Sequence, residues 1–171
     1  MAASEIPPLV ITGFMGSGKT TVGKILATRL GRDFIDMDAL IEAEEGMTVA
    51  GIFEKRGEAY FREREAECCA RLAAREACVI STGGGALVDP ANRALFKDAF
   101  VVCLDADPEE IFERLKDDGS RPLLNDPDPR RRIADLLASR RSAYAQLRWH
   151  VDTRARSAEE VADEIERLLD L

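Results

Sequence analysis

The sequence has 171 residues, of which 46% are hydrophobic and 33% are charged, a composition typical of a soluble globular domain. The net charge of −8 at pH 7 argues against nucleic-acid binding, which usually needs a basic face. The N-terminal residues lack the basic and apolar regions of a signal peptide, and no apolar run approaches the roughly 20 residues of a membrane helix. We therefore expect a cytoplasmic monomer without nucleic-acid or membrane partners.

Strand-like apolar runs alternate with segments of helical periodicity along the whole chain. The predicted strands are 8–12, 34–38, 78–82, 100–104 and 150–153. The predicted helices are a first helix ending near residue 30, then 39–45, 49–56, 58–75, 90–97, 108–116, 130–147 and a last helix to residue 169 that Ser157 caps. This alternation predicts a single α/β domain over 1–171, with its core at about 8–171. A central parallel sheet of about five strands, covered by helices on both faces, would give three layers.

The four cysteines do not indicate a metal site. Cys68, Cys69, Cys78 and Cys103 have no C-x-x-C spacing, and His150 is the one histidine in the chain. We expect these thiols to occupy small apolar positions in a reducing compartment.

A phosphate-binding loop follows the first predicted strand. Residues 13–20 read G-F-M-G-S-G-K-T and fit the P-loop pattern G-x-x-x-x-G-K-[ST], with a periodic helix directly after them. Glycines allow the loop N–H groups to face phosphate oxygens at the helix N-terminus. Lys19 can reach the β- and γ-phosphates, and the Thr20 hydroxyl can bind Mg²⁺. The alternative is a glycine-rich turn without function. The loop residues predicted to bind ATP are Gly13, Gly16, Ser17, Gly18, Lys19, Thr20 and Thr21.

Two acids, Asp36 and Asp38, end the second predicted strand. Residues two apart on a strand point to one face, so both carboxylates are expected together at the edge where α/β sheets bind ligands. One can serve Mg²⁺, and the other can accept or orient the proton of an attacking hydroxyl. The alternative is that Asp38 only caps the helix that begins at Ala39.

A charged segment indicates a solvated helix face, whereas a run of three glycines indicates a ligand site. Residues 61–65 read F-R-E-R-E, which taken alone indicates a solvated helix face with ion pairs along it. Gly83, Gly84 and Gly85 directly follow a strand, which suggests backbone that a ligand approaches closely.

Arginines after residue 110 are candidates for binding anions. The segment 117–128 is polar and interrupted by proline, as a mobile lid or a plain surface loop would be. Arg121 within it could close over the γ-phosphate and stabilise the transferring charge. Arg140 and Arg141 precede Tyr144 on a predicted helix, and either could hold a substrate carboxylate.

Together these motifs resemble the shikimate kinase family over nearly the whole chain. The segments that match the family's patterns G-x-M-G-x-G-K-[ST], D-x-D, F-R-x-x-E, G-G-G and R-P-L-L are 13–20, 36–38, 61–65, 83–85 and 121–124. The resemblance implies a P-loop, nucleoside-monophosphate-kinase-like α/β/α fold. It also implies transfer of the γ-phosphate of ATP to the 3-hydroxyl of shikimate, with Mg²⁺, in aromatic amino acid biosynthesis.

The resemblance also implies a role for each matching residue. The implied catalytic residues are Lys19, Asp38 and Arg121. The implied shikimate ligands are Asp38, Arg62, Gly83, Gly84, Gly85 and Arg140. The implied magnesium ligands are Thr20 and Asp36. Two arginines complete the implied ATP site, namely Arg114 against adenine and Arg121 at the phosphates.

The chain departs from the family pattern at two places. The family usually reads R-x-P-L-Y where residues 140–144 read R-R-S-A-Y; the spacing to the tyrosine selects Arg140, with Arg141 as the alternative. Ser157-Ala158 stands where the family often has Asn-Pro near adenine. Another P-loop kinase, acting on gluconate or a nucleoside monophosphate, is an alternative function. A non-catalytic nucleotide-binding regulatory relative is an alternative of a different class.

Overall fold

One parallel sheet forms the centre of the protein. The computed structural model describes residues 7–118 and 125–170. The strands are β1 (Leu9–Gly13), β2 (Asp33–Asp36), β3 (Cys78–Ser81), β4 (Phe100–Asp105) and β5 (Trp149–Asp152). They lie in the order β2-β3-β1-β4-β5, and every neighbouring pair is parallel. The central strand, β1, pairs Leu9 with Val79 on one side and with Phe100 on the other.

Helices cover both faces of this sheet. They are α1 (Lys19–Leu30), α2 (Met37–Glu45), α3 (Val49–Arg56), α4 (Glu58–Ala73), α5 (Pro90–Leu95), α6 (Pro108–Leu115), α7 (Pro129–Tyr144) and α8 (Ala158–Leu169), with a 3₁₀ turn at Ala86–Val88. Because side chains alternate along a strand, Val10 packs in a core with residues of α2, α3 and α4, whereas Leu9 and Ile11 pack with residues of α1 and α8. The predicted three-layer fold with about five parallel strands is confirmed.

The second predicted strand is wrong at its carboxyl end. β2 stops at Asp36, and Met37 and Asp38 already belong to α2. The physical reason is an N-cap, since the Asp36 carboxylate accepts a hydrogen bond from the Ala39 backbone N–H at 3.0 Å. Asp36 therefore starts the helix that the sequence pattern placed two residues later, and Asp36, not Asp38, is the capping acid.

Candidate active site

The P-loop joins β1 to α1 at the carboxyl edge of the sheet. Gly13 has φ +140°, and a Cβ there would lie 2.6 Å from the Leu104 carbonyl oxygen, so this position requires glycine. The Lys19 ammonium donates to the carbonyls of Gly13 at 2.8 Å and Phe14 at 3.0 Å, which holds the side chain across the loop. Ser17 is buried, and its hydroxyl has no hydrogen-bond partner within the part of the chain described. Thr21 is exposed on the first turn of α1.

The two predicted magnesium ligands lie together beside this loop. The Thr20 hydroxyl donates to the Asp36 carboxylate at 2.9 Å, although the residues are 16 apart in the chain. The second carboxylate oxygen of Asp36 accepts the helix-capping bond described above. A hydroxyl and a carboxylate side by side are hard oxygen donors of the kind that Mg²⁺ prefers, so the residues fit this ion.

The three glycines after β3 form one wall of a site crowded with charge. A Cβ on Gly83 would lie 2.7 Å from Glu65 Oε1 and 2.8 Å from Asp38 Oδ1. On Gly84 it would lie 3.1 Å from Arg140 Nη1, and on Gly85 it would lie 2.5 Å from Arg62 Nη1. The charged ends that converge on this wall are those of Asp38, Arg62, Glu65 and Arg140. Side chains on the glycines would fill the space that these groups surround.

Glu65 is a site residue that the sequence analysis missed. Its side chain is 1% exposed, and its Oε2 accepts a hydrogen bond from Arg62 Nη1 at 2.6 Å. Burial raises the pKa of the Glu65 carboxyl, and Asp38 adds to the rise, whereas Arg62 and Arg140 oppose it. The prediction of a solvated helix face is therefore wrong for this residue. The buried residues Phe61, Glu65, Cys68 and Leu72 share one face of α4, which was the available signal.

The structure separates Arg140 from Arg141. The Arg140 guanidinium lies 5.0 Å from the centroid of the Phe14 ring, and its buried Nη1 has no hydrogen-bond partner among the residues described. Arg141 is exposed and lines a cavity with Asp105 and His150 instead of facing the glycines. Arg140 is therefore the arginine of this pair that faces the glycine wall.

Tyr144 also contacts this wall, one helical turn after Arg140. Its hydroxyl donates to the Gly84 carbonyl at 2.6 Å, and burial raises the pKa of Tyr144 to about 12, so it remains a donor at neutral pH. Although Tyr144 helped to define the predicted spacing on this helix, the sequence analysis assigned it no function.

A second cavity beside the P-loop, of about 430 Å³, is lined by Arg114 together with Glu110, Ala155 and others. Arg114 Nη1 donates to the Gly16 carbonyl at 2.8 Å, so this arginine contacts the P-loop as an adenine-side residue would. Ser157 caps α8 and forms a reciprocal capping box with Glu160, as predicted for this helix start. The predicted lid arginine, Arg121, lies outside the described residues.

This arrangement of a P-loop, a hydroxyl–carboxylate pair and an arginine-lined glycine wall can be compared with known proteins. The family model described as shikimate kinase matches residues 15–170. The chain belongs to the shikimate kinase family. The shikimate kinase of Symbiobacterium thermophilum is 50% identical over 161 residues, which cover 92% of each chain. That of Geobacter metallireducens is 44% identical, over 96% of this chain and 92% of its own.

Solved structures agree with this family assignment. A shikimate kinase from Acinetobacter baumannii, solved in complex with shikimate, superposes with a TM-score of 0.91 at 38% identity, covering 96% of this chain and 93% of that one. A gluconokinase from Sinorhizobium meliloti gives a TM-score of 0.57 at 20% identity, which shows a shared fold alone. Members of the shikimate kinase family are ATP-using kinases. Within the described part of this family member, no helix has the length and apolar character needed to span a membrane.

Proposed function

We propose that this enzyme transfers the γ-phosphate of ATP to the 3-hydroxyl of shikimate and releases shikimate 3-phosphate and ADP. The observation that carries this proposal is the convergence of Arg62 and Arg140 on the wall formed by Gly83–Gly85, with Asp38 on the same wall. Two guanidinium groups match a ring carboxylate, and a carboxylate matches ring hydroxyls. Shikimate carries both kinds of group on one small ring.

Asp38 acts on the acceptor hydroxyl in this proposal. Its carboxylate accepts a hydrogen bond from the 3-hydroxyl and takes its proton as the oxygen attacks the γ-phosphorus. One O–P bond forms to the shikimate oxygen, while the bond from the γ-phosphorus to the β,γ-bridging oxygen breaks and ADP leaves. The proton then passes from Asp38 to solvent. The glycine wall places backbone, instead of side chains, against the ring and excludes water from it.

Different residues would bind the phosphates, the base and the magnesium ion of the nucleotide. Lys19 and the N–H groups of the P-loop hold the β- and γ-phosphates, and Arg114 lies along the base. Thr20 and Asp36 would hold Mg²⁺, and the ion, when bound, neutralises charge on the phosphate oxygens. Arg121 stays a prediction from the sequence as the cation that closes over the γ-phosphate. A single domain, a monomeric state and a cytoplasmic location also stay predictions from the sequence.

The acceptor is tested by comparing shikimate, gluconate, AMP and GMP as substrates with ATP and Mg²⁺ while ADP release is measured. We expect turnover with shikimate, and phosphorus NMR of the product should show one phosphate ester, at the 3-oxygen. Turnover with gluconate or a nucleotide instead would support one of the alternative kinases. ATP binding without turnover of any acceptor would support a non-catalytic relative.

The carboxylate site is tested by a matched pair of variants on α7. Arg140→Met removes the guanidinium that faces Gly84, whereas Arg141→Met removes its exposed neighbour, which lines a cavity with Asp105 and His150. A hydrogen bond to a charged group contributes about 1.5–3 kcal/mol, so Arg140→Met should raise the shikimate KM by about 10- to 150-fold. Arg141→Met should leave it nearly unchanged. Equal effects of the two variants would refute the assignment of Arg140.

A further inference from the structure

Three possible metal-binding side chains lie on one face of the neighbouring strands β4 and β5. Cys103 and Asp105 are two residues apart on β4, so they point to the same face of the sheet. His150 on β5 pairs in parallel register with Cys103, which brings it to that face as well. One donor atom from each side chain, the Cys103 Sγ, an Asp105 carboxylate oxygen and a His150 ring nitrogen, lies within 4.8 Å of the others.

Asp105 is the centre of this cluster. His150 Nδ1 lies 3.0 Å from Asp105 Oδ2 and 3.1 Å from Asp105 Oδ1. Cys103 is buried, whereas Asp105 and His150 are exposed and line a cavity of about 440 Å³ between β4, β5 and α7. The cavity gives an ion a path from solvent to Asp105 and His150, and the buried Cys103 sulfur lies within 4.8 Å of a donor atom of each.

We propose that Cys103, Asp105 and His150 bind one Zn²⁺ ion, with a water molecule from the cavity as the fourth ligand. Zinc accepts sulfur, nitrogen and oxygen donors in a tetrahedron, whereas Mg²⁺ and Ca²⁺ prefer oxygen alone. Bond lengths of about 2.0–2.3 Å separate tetrahedral donors by about 3.3–3.8 Å, so side-chain shifts of about 1 Å complete the site.

The charges of this site balance when the ion binds. The Cys103 thiol gives up its proton to solvent, and the resulting thiolate and the Asp105 carboxylate together carry −2, which the ion neutralises while His150 stays neutral. The nearest predicted magnesium ligands, Thr20 and Asp36, are oxygen donors and lie on the other side of β1 in the sheet order, so the two ions do not compete.

The expected consequence is a link between the edge strand and its neighbour. Among the described strands β5 pairs with β4 alone, and β4 pairs Cys103 with Thr12 and Leu104 with Gly13, at the start of the P-loop. An ion held by both strands would therefore stabilise the sheet beside the phosphate site. The role is structural and separate from phosphoryl transfer.

The test uses Co²⁺ as a spectroscopic substitute and Zn²⁺ in competition with a coloured chelator, both with excess Mg²⁺ present. For the unmodified protein we expect one equivalent bound and a thiolate-to-cobalt charge-transfer band. Cys103→Ser should abolish the band, and His150→Gln should weaken Zn²⁺ binding by at least about 10-fold. Cys69→Ser is the matched control, because Cys69 is also fully buried but lies on α4.

Several results would overturn the zinc site. These are the absence of a charge-transfer band, an unchanged band in Cys103→Ser, or Zn²⁺ binding weaker than about 1 mM. If Cys103→Ser fails to fold, the exposed variant His150→Gln decides, because Zn²⁺ should raise the melting temperature of the unmodified protein and not that of this variant. Neither readout uses kinase activity, so failure here leaves the proposed function untouched.

Discussion

Replacing Tyr144 by phenylalanine removes the hydroxyl group that joins α7 to the glycine wall by a hydrogen bond. The Tyr144 hydroxyl donates to the Gly84 carbonyl at 2.6 Å, and the ring itself is buried and stays in Tyr144→Phe. A Cβ on Gly84 would lie 3.1 Å from Arg140 Nη1 and 3.3 Å from the Gly13 carbonyl, so Gly84 lies between the acceptor site and the P-loop. The substitution therefore tests whether Tyr144 positions Gly84 for the acceptor.

The expected change in the shikimate KM follows from the Gly84 carbonyl, which loses its hydrogen-bond donor in Tyr144→Phe. A buried carbonyl that loses its donor costs about 1–3 kcal/mol, and a net hydrogen bond contributes about 0.5–1.5 kcal/mol. If the complex with shikimate loses the net hydrogen-bond energy of about 0.5–1.5 kcal/mol, the shikimate KM rises by about 2- to 12-fold. The measurement is ADP release with shikimate varied at saturating ATP, then with ATP varied at saturating shikimate. The KM for ATP should stay within about twofold, since no P-loop side chain is altered.

The chain offers a matched control, because it has two tyrosines. The Tyr60 hydroxyl donates to the Glu45 carboxylate at 3.0 Å, which joins α4 to α2 instead of α7 to the glycine wall. Tyr60→Phe should therefore leave the shikimate KM unchanged. If Tyr144→Phe lowers the melting temperature and leaves the shikimate KM as in the unmodified protein, Tyr144 only packs the core and the reasoning is wrong.

Three further predictions concern neighbouring features. Burial raises the pKa of Glu65 in the folded protein, so ionising this carboxyl weakens the fold. The stability that comes from the protonated form is complete below the unfolded-state pKa of about 4.3. It is lost as the pH rises through the folded-state pKa. When urea denaturation is measured from about pH 4 upward, the stability of Glu65→Gln relative to the unmodified protein should increase with pH, and the opposite trend would show that the Arg62 ion pair dominates. Ser157→Ala breaks the capping box of α8 and should cost about 1 kcal/mol, or about 2–4 °C in melting temperature by calorimetry, and no change would refute the cap. Gly85→Ala places a Cβ 2.5 Å from Arg62 Nη1 and should raise the shikimate KM by about 10-fold or more in the same ADP assay, whereas an unchanged KM would remove Arg62 from the acceptor site.

The fold was predictable because its signals are local. Alternating strand and helix patterns and the cap at Ser157 depend on residues close in sequence. The boundary at Asp36 was missed because an aspartate at the end of a strand and an aspartate that begins a helix look alike in sequence. The Ala39 N–H that decides between them is seen only in the structure.

The candidate site was predictable where a motif is continuous and not where charges come from separate elements. The P-loop and the three glycines are continuous segments, so their positions followed from the sequence. Glu65 was interpreted as solvated because it stands in a charged run, and its burial depends on the glycine wall, which is 18 residues away in the chain. The spacing to Tyr144 favoured Arg140 but left Arg141 as an alternative, because the rotation of α7 against Phe14 that separates the two is seen only in the structure.

A protein with a net charge of −8 must create a local positive field to bind an anionic acceptor. In the proposed function Arg62 and Arg140 supply it, but two unpaired guanidinium groups this close to one wall would repel each other. Glu65 lies beneath them and bonds Arg62 at 2.6 Å, while its Oε1 has no hydrogen-bond partner in the described chain. The buried acid therefore holds Arg62 in place through a hydrogen bond, whereas Arg140 Nη1 has no hydrogen-bond partner among the described residues. In the proposed function an acceptor carboxylate completes the hydrogen bonding left open on Arg140 Nη1, and this contact is how an acidic chain would select an acidic substrate.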